Sequence, residues 1–217
     1  MNASVDFPGN DPWWSRHPSP SFGAALLQAK SDLRREMRVR RNEFVASIPE
    51  KVRALVFSRP PGAVVDFLRE YRVLGFYHAI GSEAPSVRLA RWFHENGWQI
   101  ALPCFSDRSA DMEFRIWSDP WDEDSLEPDP FGARQLRSDA PLVGPDALVV
   151  PLVAFTAQCH RLGQGGGHYD RWTAAHHPVR MIGLAWDVQR VEALPLEPHD
   201  AVLDAVVTPT QIYWKDA

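Results

Sequence analysis

The segment from Arg161 to Trp172 has the composition of an anion-binding loop. It contains four glycines, two arginines and one carboxylate. Glycine adopts backbone conformations closed to other residues and lets a ligand approach the main chain, so several N–H groups can converge on phosphate oxygens. The helix predicted after the glycines adds its positive end. On the glycines alone, a tight strand-to-helix turn that binds no ligand is the alternative interpretation.

The loop matches neither of two common nucleotide-binding motifs. A P-loop requires Gly-Lys-Ser/Thr after its spacer, whereas here the glycines are followed by His168 and Tyr169. A dinucleotide fingerprint that starts at Gly163 and Gly165 needs its third glycine at position 168, which is histidine. The segment is therefore a glycine loop of another type.

Two cations in a predicted helix could bind the same anion. A helical pattern begins near Ala24, and Lys30 and Arg34 stand four residues apart in it, so both project from one face. Two such cations can bind one polyphosphate. The same helix carries four further arginines against two acidic residues, and a solvated basic face is the alternative interpretation.

Two carboxylates are candidate metal ligands. Asp170 follows the glycines directly, and Asp200 ends the acidic turn 197–200. Carboxylate oxygens are the hard ligands that Mg²⁺ takes when it bridges nucleotide phosphates. For Asp170, the alternative is a carboxylate in the first helical turn that only interacts favourably with the helix dipole.

Alternating helix and strand patterns predict how these residues are positioned. Residues 147–155 are apolar apart from Pro151, as a strand buried on both faces would be, and they lead to the glycine loop. We predict an α/β protein of three layers, α/β/α, with a mostly parallel sheet, in which ligands bind beyond the carboxyl ends of the strands. The other predicted helices are 63–70, 87–95 and 169–176, the other strands are 73–77, 99–102, 112–117, 181–186 and 202–207, and 120–145 is expected to be a long surface excursion.

Composition limits the class of protein. The 217 residues, 45% of them hydrophobic, fit a single domain at 24–217 that follows an irregular N-terminal arm at 1–23. Trp13 and Trp14 of this arm are expected to lie against the body of the protein or a neighbouring subunit. A net charge of −5 argues against general nucleic-acid binding. Two cysteines cannot form a disulfide framework or a four-ligand zinc site. With no recognisable signal peptide or membrane-length apolar stretch, we expect a cytoplasmic protein that binds neither nucleic acid nor membrane.

Motifs spread over most of the chain resemble the 5-formyltetrahydrofolate cyclo-ligase family, also called 5,10-methenyltetrahydrofolate synthetases. In chain order they are Lys30–Arg34, Gly81–Glu83, Pro151–Phe155, Arg161–Arg171, His199–Asp200, Asp204 and Thr208. The resemblance implies a fold similar to sugar-phosphate isomerases and CoA transferases. It also implies ATP- and magnesium-dependent closure of 5-formyltetrahydrofolate to 5,10-methenyltetrahydrofolate through an imidoyl phosphate, with release of ADP and phosphate. We expect small-molecule partners and a monomer or weak homodimer.

The resemblance also implies roles for individual residues. Those at ATP-binding positions are Lys30, Arg34, Arg161, Leu162, Gly163, Gln164, Gly165, Gly166, Gly167, His168 and Tyr169. Those at folate-binding positions are Arg34, His78, Glu83, Gln164, Gly165, Gly166, Gly167 and His168. Asp170 and Asp200 match the magnesium-linked carboxylates. Without the resemblance, Glu83 would be interpreted as a solvated loop carboxylate.

The chain departs from the family pattern in two places. Bacterial members usually have tyrosine where this chain has Gln164 and His168. The family as a whole tends to have Glu-Pro where Gln135 and Leu136 follow the Phe131–Arg134 turn. Histidine titrates near neutrality, so His168 predicts either pH-sensitive turnover or a replaced ring contact. Two other functions stay open: a folate- and nucleotide-binding protein with little turnover, and an isomerase or acyl-CoA transferase that is active without ATP.

Overall fold

The computed structural model describes residues 20–53, 55–176, 179–197 and 200–215, which form five α-helices and eleven strands. The helices are α1 (Pro20–Ser47), α2 (Glu50–Arg53), α3 (Gly62–Leu68), α4 (Val87–Glu95) and α5 (His168–Ala175). The strands are β1 (Val73–Gly75), β2 (Gln99–Cys104), β3 (Glu113–Ile116), β4 (Leu126–Pro128), β5 (Arg134–Leu136), β6 (Ala147–Pro151), β7 (Ala154–Phe155), β8 (Arg161–Leu162), β9 (Arg180–Leu184), β10 (Ala205–Val207) and β11 (Ile212–Trp214). None of the described helices is long and apolar enough to cross a membrane.

Seven strands form one sheet in the order β11-β10-β9-β6-β1-β2-β3. The five central strands are parallel, and the two edge strands are antiparallel to their neighbours. The strand order reverses between β1 and β6, because the chain moves from β1 to β2 on one side and later continues through β6 on the other. The loops that follow two such strands diverge and leave a crevice in which α/β proteins bind ligands. The predicted mostly parallel α/β fold is confirmed.

Both faces of the sheet are covered. On β6, Val149 packs into the core that holds Phe93 of α4, together with residues of α1 and α3. Leu148 and Val150, which alternate with it, pack on the opposite face with Trp172 of α5. Successive side chains of a strand point to opposite faces, so a strand buried on both is apolar throughout.

The apolar run 147–155 is two strands instead of the predicted one. β6 ends at Pro151, and β7 pairs with β8 in a separate two-stranded sheet. Proline has no N–H group to continue the ladder, so the chain leaves the large sheet at this point. The departure brings β8, and the glycine loop after it, next to the switch point.

Other elements also differ from prediction. Segment 120–145 contains the hairpin β4–β5, in which Leu126, Gln135 and Leu136 are buried; its strands are too short to show a periodic pattern. Helix α1 begins at Pro20, four residues before the predicted start, and proline is favourable in a first helical turn. The two tryptophans of the predicted arm lie outside the described residues.

Candidate ligand-binding site at the switch point of the sheet

Backbone geometry explains two of the four glycines in the loop. Gly165 has φ +108° and Gly167 has φ +64°, both in the region that favours glycine. Gly167 is also the N-cap of α5, so the loop passes directly into the helix N-terminus. Gly163 has neither a positive φ nor an atom within 4 Å of the place where a Cβ would stand. The chain conformation therefore requires glycine at 165 and 167 but not at 163.

Helix α1 lies against this loop through two arginines. Arg34 donates from Nε to the carbonyl of Gly163 at 2.9 Å. One turn further on, Arg38 donates to the backbone and side-chain oxygens of Gln164 at 3.1 and 2.8 Å. Among the described residues the terminal amino groups of Arg34 have no hydrogen-bond partner, so its guanidinium can still donate to a ligand. Burial and the nearby Arg38 lower the pKa of Arg34, an effect that Asp200 opposes.

Lys30 joins α1 to Glu197 and Asp200, the two ends of the predicted acidic turn, whereas His199 between them lies outside the described residues. Its ammonium lies 2.7 Å from a carboxylate oxygen of Glu197 and 2.7 Å from one of Asp200, and Lys30 is only 5% exposed. Burial lowers the pKa of Lys30, but its hydrogen bonds to the two carboxylates more than offset that effect, and the net pKa is raised. Lys30 is therefore a buried cation shared between two carboxylates.

Arg161 connects the two predicted metal ligands. It donates to Asp170 at 2.7 Å and to the carbonyl of Ala201, the residue after Asp200, at 2.9 Å. The Asp170 side chain is 36% exposed, and that of Asp200 is 21% exposed. Among the described residues no group of three or more His, Cys, Asp or Glu side chains could hold a metal ion. An ion bound here would need further oxygen ligands from a substrate.

Glu83 reaches the glycine loop from the loop after β1. It is 8% exposed and accepts from the N–H of Ile80 at 2.9 Å and from the side-chain amide of Gln164 at 2.5 Å. Burial raises the pKa of Glu83, while the Ile80 N–H and the buried Arg41 lower it. Tyr77, wholly buried, donates to Ala84 at 2.6 Å and so fixes the end of this loop. The interpretation of Glu83 as a solvated carboxylate is wrong.

His168 belongs to an aromatic cluster at the start of α5. Its ring centroid lies 4.9 Å from that of Phe105 and 5.1 Å from that of Phe131. Arg171 lies 3.1 Å from its Nδ1 atom. Burial and then Arg171 lower the pKa of His168, which favours the neutral imidazole at neutral pH.

His78 is on the hairpin side of the crevice. Burial lowers its pKa, and Arg134 of β5 lowers it further. A cavity of about 490 Å³ lies nearby between β2, β3 and the hairpin. The cavity contains none of the predicted site residues, and we place the site at the glycine loop because the buried charges converge there.

Four contact residues were not predicted individually as site residues: Arg38, Arg41, Phe105 and Phe131. Both arginines stand at helical spacings from Arg34, four and seven residues on, which is a signal that the sequence contains. The aromatic pair carries no such signal, because Phe105 and Phe131 are brought to His168 only by the tertiary fold.

Charged side chains and a glycine loop meet at the switch point of a covered parallel sheet, which is where proteins of the α/β class bind their ligands. The sequence matches the 5-formyltetrahydrofolate cyclo-ligase family over residues 27–209, and the chain belongs to this family of enzymes. It is 28% identical over 189 residues to the 5-formyltetrahydrofolate cyclo-ligase of Mycolicibacterium smegmatis, a match that covers 84% of this chain and 94% of that protein.

Two further comparisons agree with the family. The Escherichia coli K12 5-formyltetrahydrofolate cyclo-ligase is 45% identical over 82 residues, which span 36% of this chain and 44% of that protein. The solution structure of the Aquifex aeolicus 5,10-methenyltetrahydrofolate synthetase superposes with a TM-score of 0.66 at 23% identity, covering 87% of this chain and 93% of that one. This structural likeness confirms the fold.

Proposed function

We propose that this protein uses ATP and Mg²⁺ to cyclise 5-formyltetrahydrofolate to 5,10-methenyltetrahydrofolate, releasing ADP and phosphate. The observation that carries the proposal is the meeting of three segments at the switch point. The cations of α1, the glycine loop and the buried Glu83 are joined there by direct hydrogen bonds. A reaction that transfers a phosphoryl group from one substrate to another needs groups for both in one crevice.

The nucleotide is proposed to bind between α1 and the N-terminus of α5. The guanidinium of Arg34 retains donors for phosphate oxygens, which it can bind in bidentate fashion. Lys30 adds a second positive charge one turn away, with one of its three N–H donors beyond the two used by carboxylates. Loop N–H groups and the positive end of α5 favour the same anion.

Asp170 and Asp200 fit a magnesium ion that is bound together with ATP. Both supply hard oxygens, both are partly exposed, and Arg161 ties their segments together. Mg²⁺ in nucleotide sites typically uses one or two carboxylates and completes its shell with phosphate oxygens and water. When bound, the ion would neutralise developing charge on the phosphates.

The folate is proposed to bind on the Glu83 side of the loop. An ionised carboxylate has about four acceptor positions, and the two hydrogen bonds that Glu83 accepts leave room for N–H groups of the pterin ring. The ring of His168, held against Phe105 and Phe131, offers an aromatic surface beside it. His78 is the proposed contact on the opposite side.

The chemistry requires no protein nucleophile. The formyl oxygen attacks the γ-phosphorus of ATP, and the bond to ADP breaks. N10 of the same folate then attacks the imidoyl carbon and loses its proton, and phosphate leaves with the former formyl oxygen. The residues described here would hold the formyl oxygen in line with the γ-phosphate and neutralise charge, which are the main contributions to phosphoryl-transfer catalysis.

An absorbance assay tests the proposal. Purified protein with ATP, Mg²⁺ and 5-formyltetrahydrofolate is expected to accumulate the methenyl product, and omission of ATP or addition of EDTA is expected to prevent it. Tight folate binding without product would support the binding-protein alternative. Turnover without ATP would support the isomerase or transferase alternative instead.

A further inference from the structure

Three side chains form a hydrogen-bonded chain across the crevice. Arg38 of α1 donates to the side-chain oxygen of Gln164 at 2.8 Å, and the amide nitrogen of Gln164 donates to Glu83 at 2.5 Å. The other oxygen of Glu83 accepts from the N–H of Ile80 at 2.9 Å. Helix α1, the glycine loop and the loop after β1 are therefore linked through one amide group.

We infer that Arg38 is a positioning residue that orients the amide of Gln164, and through it the carboxylate of Glu83, for folate binding. This inference rests on the proposed function. Arg38 itself is exposed and lies one turn beyond Arg34 on the helix. It orients the carboxylate through Gln164, because among the described residues it donates hydrogen bonds to Gln164 and not to Glu83.

The direction of these hydrogen bonds follows from which groups can donate and which can accept. A guanidinium can only donate, so it selects the oxygen end of the Gln164 amide. The amino end is then turned towards Glu83, where a carboxylate can only accept. Without Arg38 the amide can rotate by half a turn and place its oxygen against the Glu83 carboxylate, where two acceptors repel each other. Arg38 and Glu83 thus favour the same orientation of the amide, which Arg38 stabilises from the oxygen end.

The carboxylate needs this support because it is buried. Burial raises the pKa of Glu83, and four groups lower it: the Ile80 N–H, Arg41, the Gln164 amide and Arg38. Two further titratable groups face it, the buried phenol of Tyr77 and the partly buried phenol of Tyr169, and burial raises the pKa of each. Loss of Arg38 or Gln164 removes part of what keeps Glu83 ionised, and an ionised Glu83 is the form that accepts N–H groups of a pterin.

The experiment compares Arg38→Met, Gln164→Leu and the double variant with wild type. Titration calorimetry gives the dissociation constant of 5-formyltetrahydrofolate between pH 5 and 9, and the absorbance assay gives kcat and both KM values. Arg35→Met is the matched control, since Arg35 is on the same helix but pairs with the exposed Asp32. Arg38→Lys tests rescue, because an ammonium can still donate to the amide oxygen.

Each single variant is expected to weaken folate binding roughly tenfold, the effect of one lost charge-assisted hydrogen bond. For Arg38→Met, the KM for ATP is expected to stay within about twofold. The double variant is expected to be no worse than the worse single one, since Gln164→Leu already removes the amide through which Arg38 acts. Folate affinity falls at low pH as Glu83 is protonated, and this fall is expected to begin at a higher pH in the variants than in wild type. Arg38→Lys is expected to recover part of the affinity.

The inference would be overturned if the losses of folate affinity in the two single variants add up in the double variant. It would also be overturned if the pH at which affinity falls is the same as in wild type, or if only the KM for ATP changes. The same holds if Arg35→Met weakens folate binding as much as Arg38→Met does. Failure of the proposed function has a different signature, because wild type would then bind folate and form no product. The calorimetric comparison of variants still tests the role of Arg38 in that case.

Discussion

Lys30→Met is the most informative single perturbation of the site. Methionine preserves the unbranched apolar stem of the buried side chain and removes only the ammonium group. The two carboxylates 2.7 Å from that group, on Glu197 and Asp200, then lose their shared cation. The change tests whether α1 holds the acidic turn in place and whether it contributes charge to the nucleotide site.

The expected stability loss lies between two known limits. Removing one partner of a fully buried ion pair costs about 3–5 kcal/mol, whereas exposed pairs contribute roughly 0–1 kcal/mol. Lys30 is almost fully buried, but the side chains of Glu197 and Asp200 are 29% and 21% exposed, so water can partly solvate them. We expect a loss of about 2 kcal/mol, which for a domain of this size lowers Tm by roughly 4–8 °C.

The kinetic effect should be selective for the nucleotide. A hydrogen bond to a charged group contributes about 1.5–3 kcal/mol, so the KM for ATP is expected to rise by roughly one to two orders of magnitude. The KM for folate should change much less, because Lys30 lies on the acidic-turn side of the loop and not beside Glu83.

Differential scanning calorimetry and steady-state kinetics measure both effects, with Arg35→Met as the control. Arg35 is 73% exposed and pairs with Asp32 on the surface of the same helix, and its loss should cost less than about 0.5 kcal/mol. If Lys30→Met is no less stable than the control, Lys30 does not hold Glu197 and Asp200 in place, and if only the KM for folate changes, Lys30 does not contribute to nucleotide binding.

Three other predictions concern the loop and its neighbours. Asp170→Asn should reduce turnover at least roughly a hundredfold, as expected for loss of a metal ligand. Its Tm should fall by less than about 4 °C, because the ion pair between Asp170 and Arg161 is partly exposed. Unchanged turnover would contradict the assignment of Asp170 as a metal ligand. Gly165→Ala, at φ +108°, should lower the free energy of unfolding by about 1–3 kcal/mol, and Gly163→Ala should lower it by less than about 0.5 kcal/mol. Equal unfolding free energies for the two variants would contradict this loop conformation. The raised pKa of Glu83 means that its ionisation destabilises the fold as pH rises through that pKa. Glu83→Gln should therefore gain stability relative to wild type between pH 4 and pH 7, while its folate affinity falls. A relative stability that decreases over this pH range would contradict the raised pKa.

Much of the fold could be predicted because local signals were strong. Helix α4 has the predicted bounds, Val87–Glu95, since Pro85 and Gly97 mark its two ends. The buried strand before the glycine loop was recognised by its apolar run, but its break at Pro151 was not. The short hairpin β4–β5 and the edge strand β11 were missed, because three residues carry too little periodicity to be recognised.

The individual segments of the candidate site could be predicted from the sequence, but the contacts between them could not. The cations of α1 share a face because of helical spacing, and the glycine loop is recognisable by composition. The hydrogen bond between Glu83 and Gln164 joins residues 81 positions apart, and the shared ion pair of Lys30 joins residues up to 170 positions apart. Such contacts depend on strand order, which the sequence pattern leaves undetermined. The roles of Glu83 and the loop in binding folate and ATP stay predictions.

The proposed cyclisation can be measured by the absorbance of the methenyl product with and without ATP. We expect product only when ATP and Mg²⁺ are both present, with one ADP released for each folate cyclised. Folate binding without product, or product formed at the same rate in the absence of ATP, would contradict it.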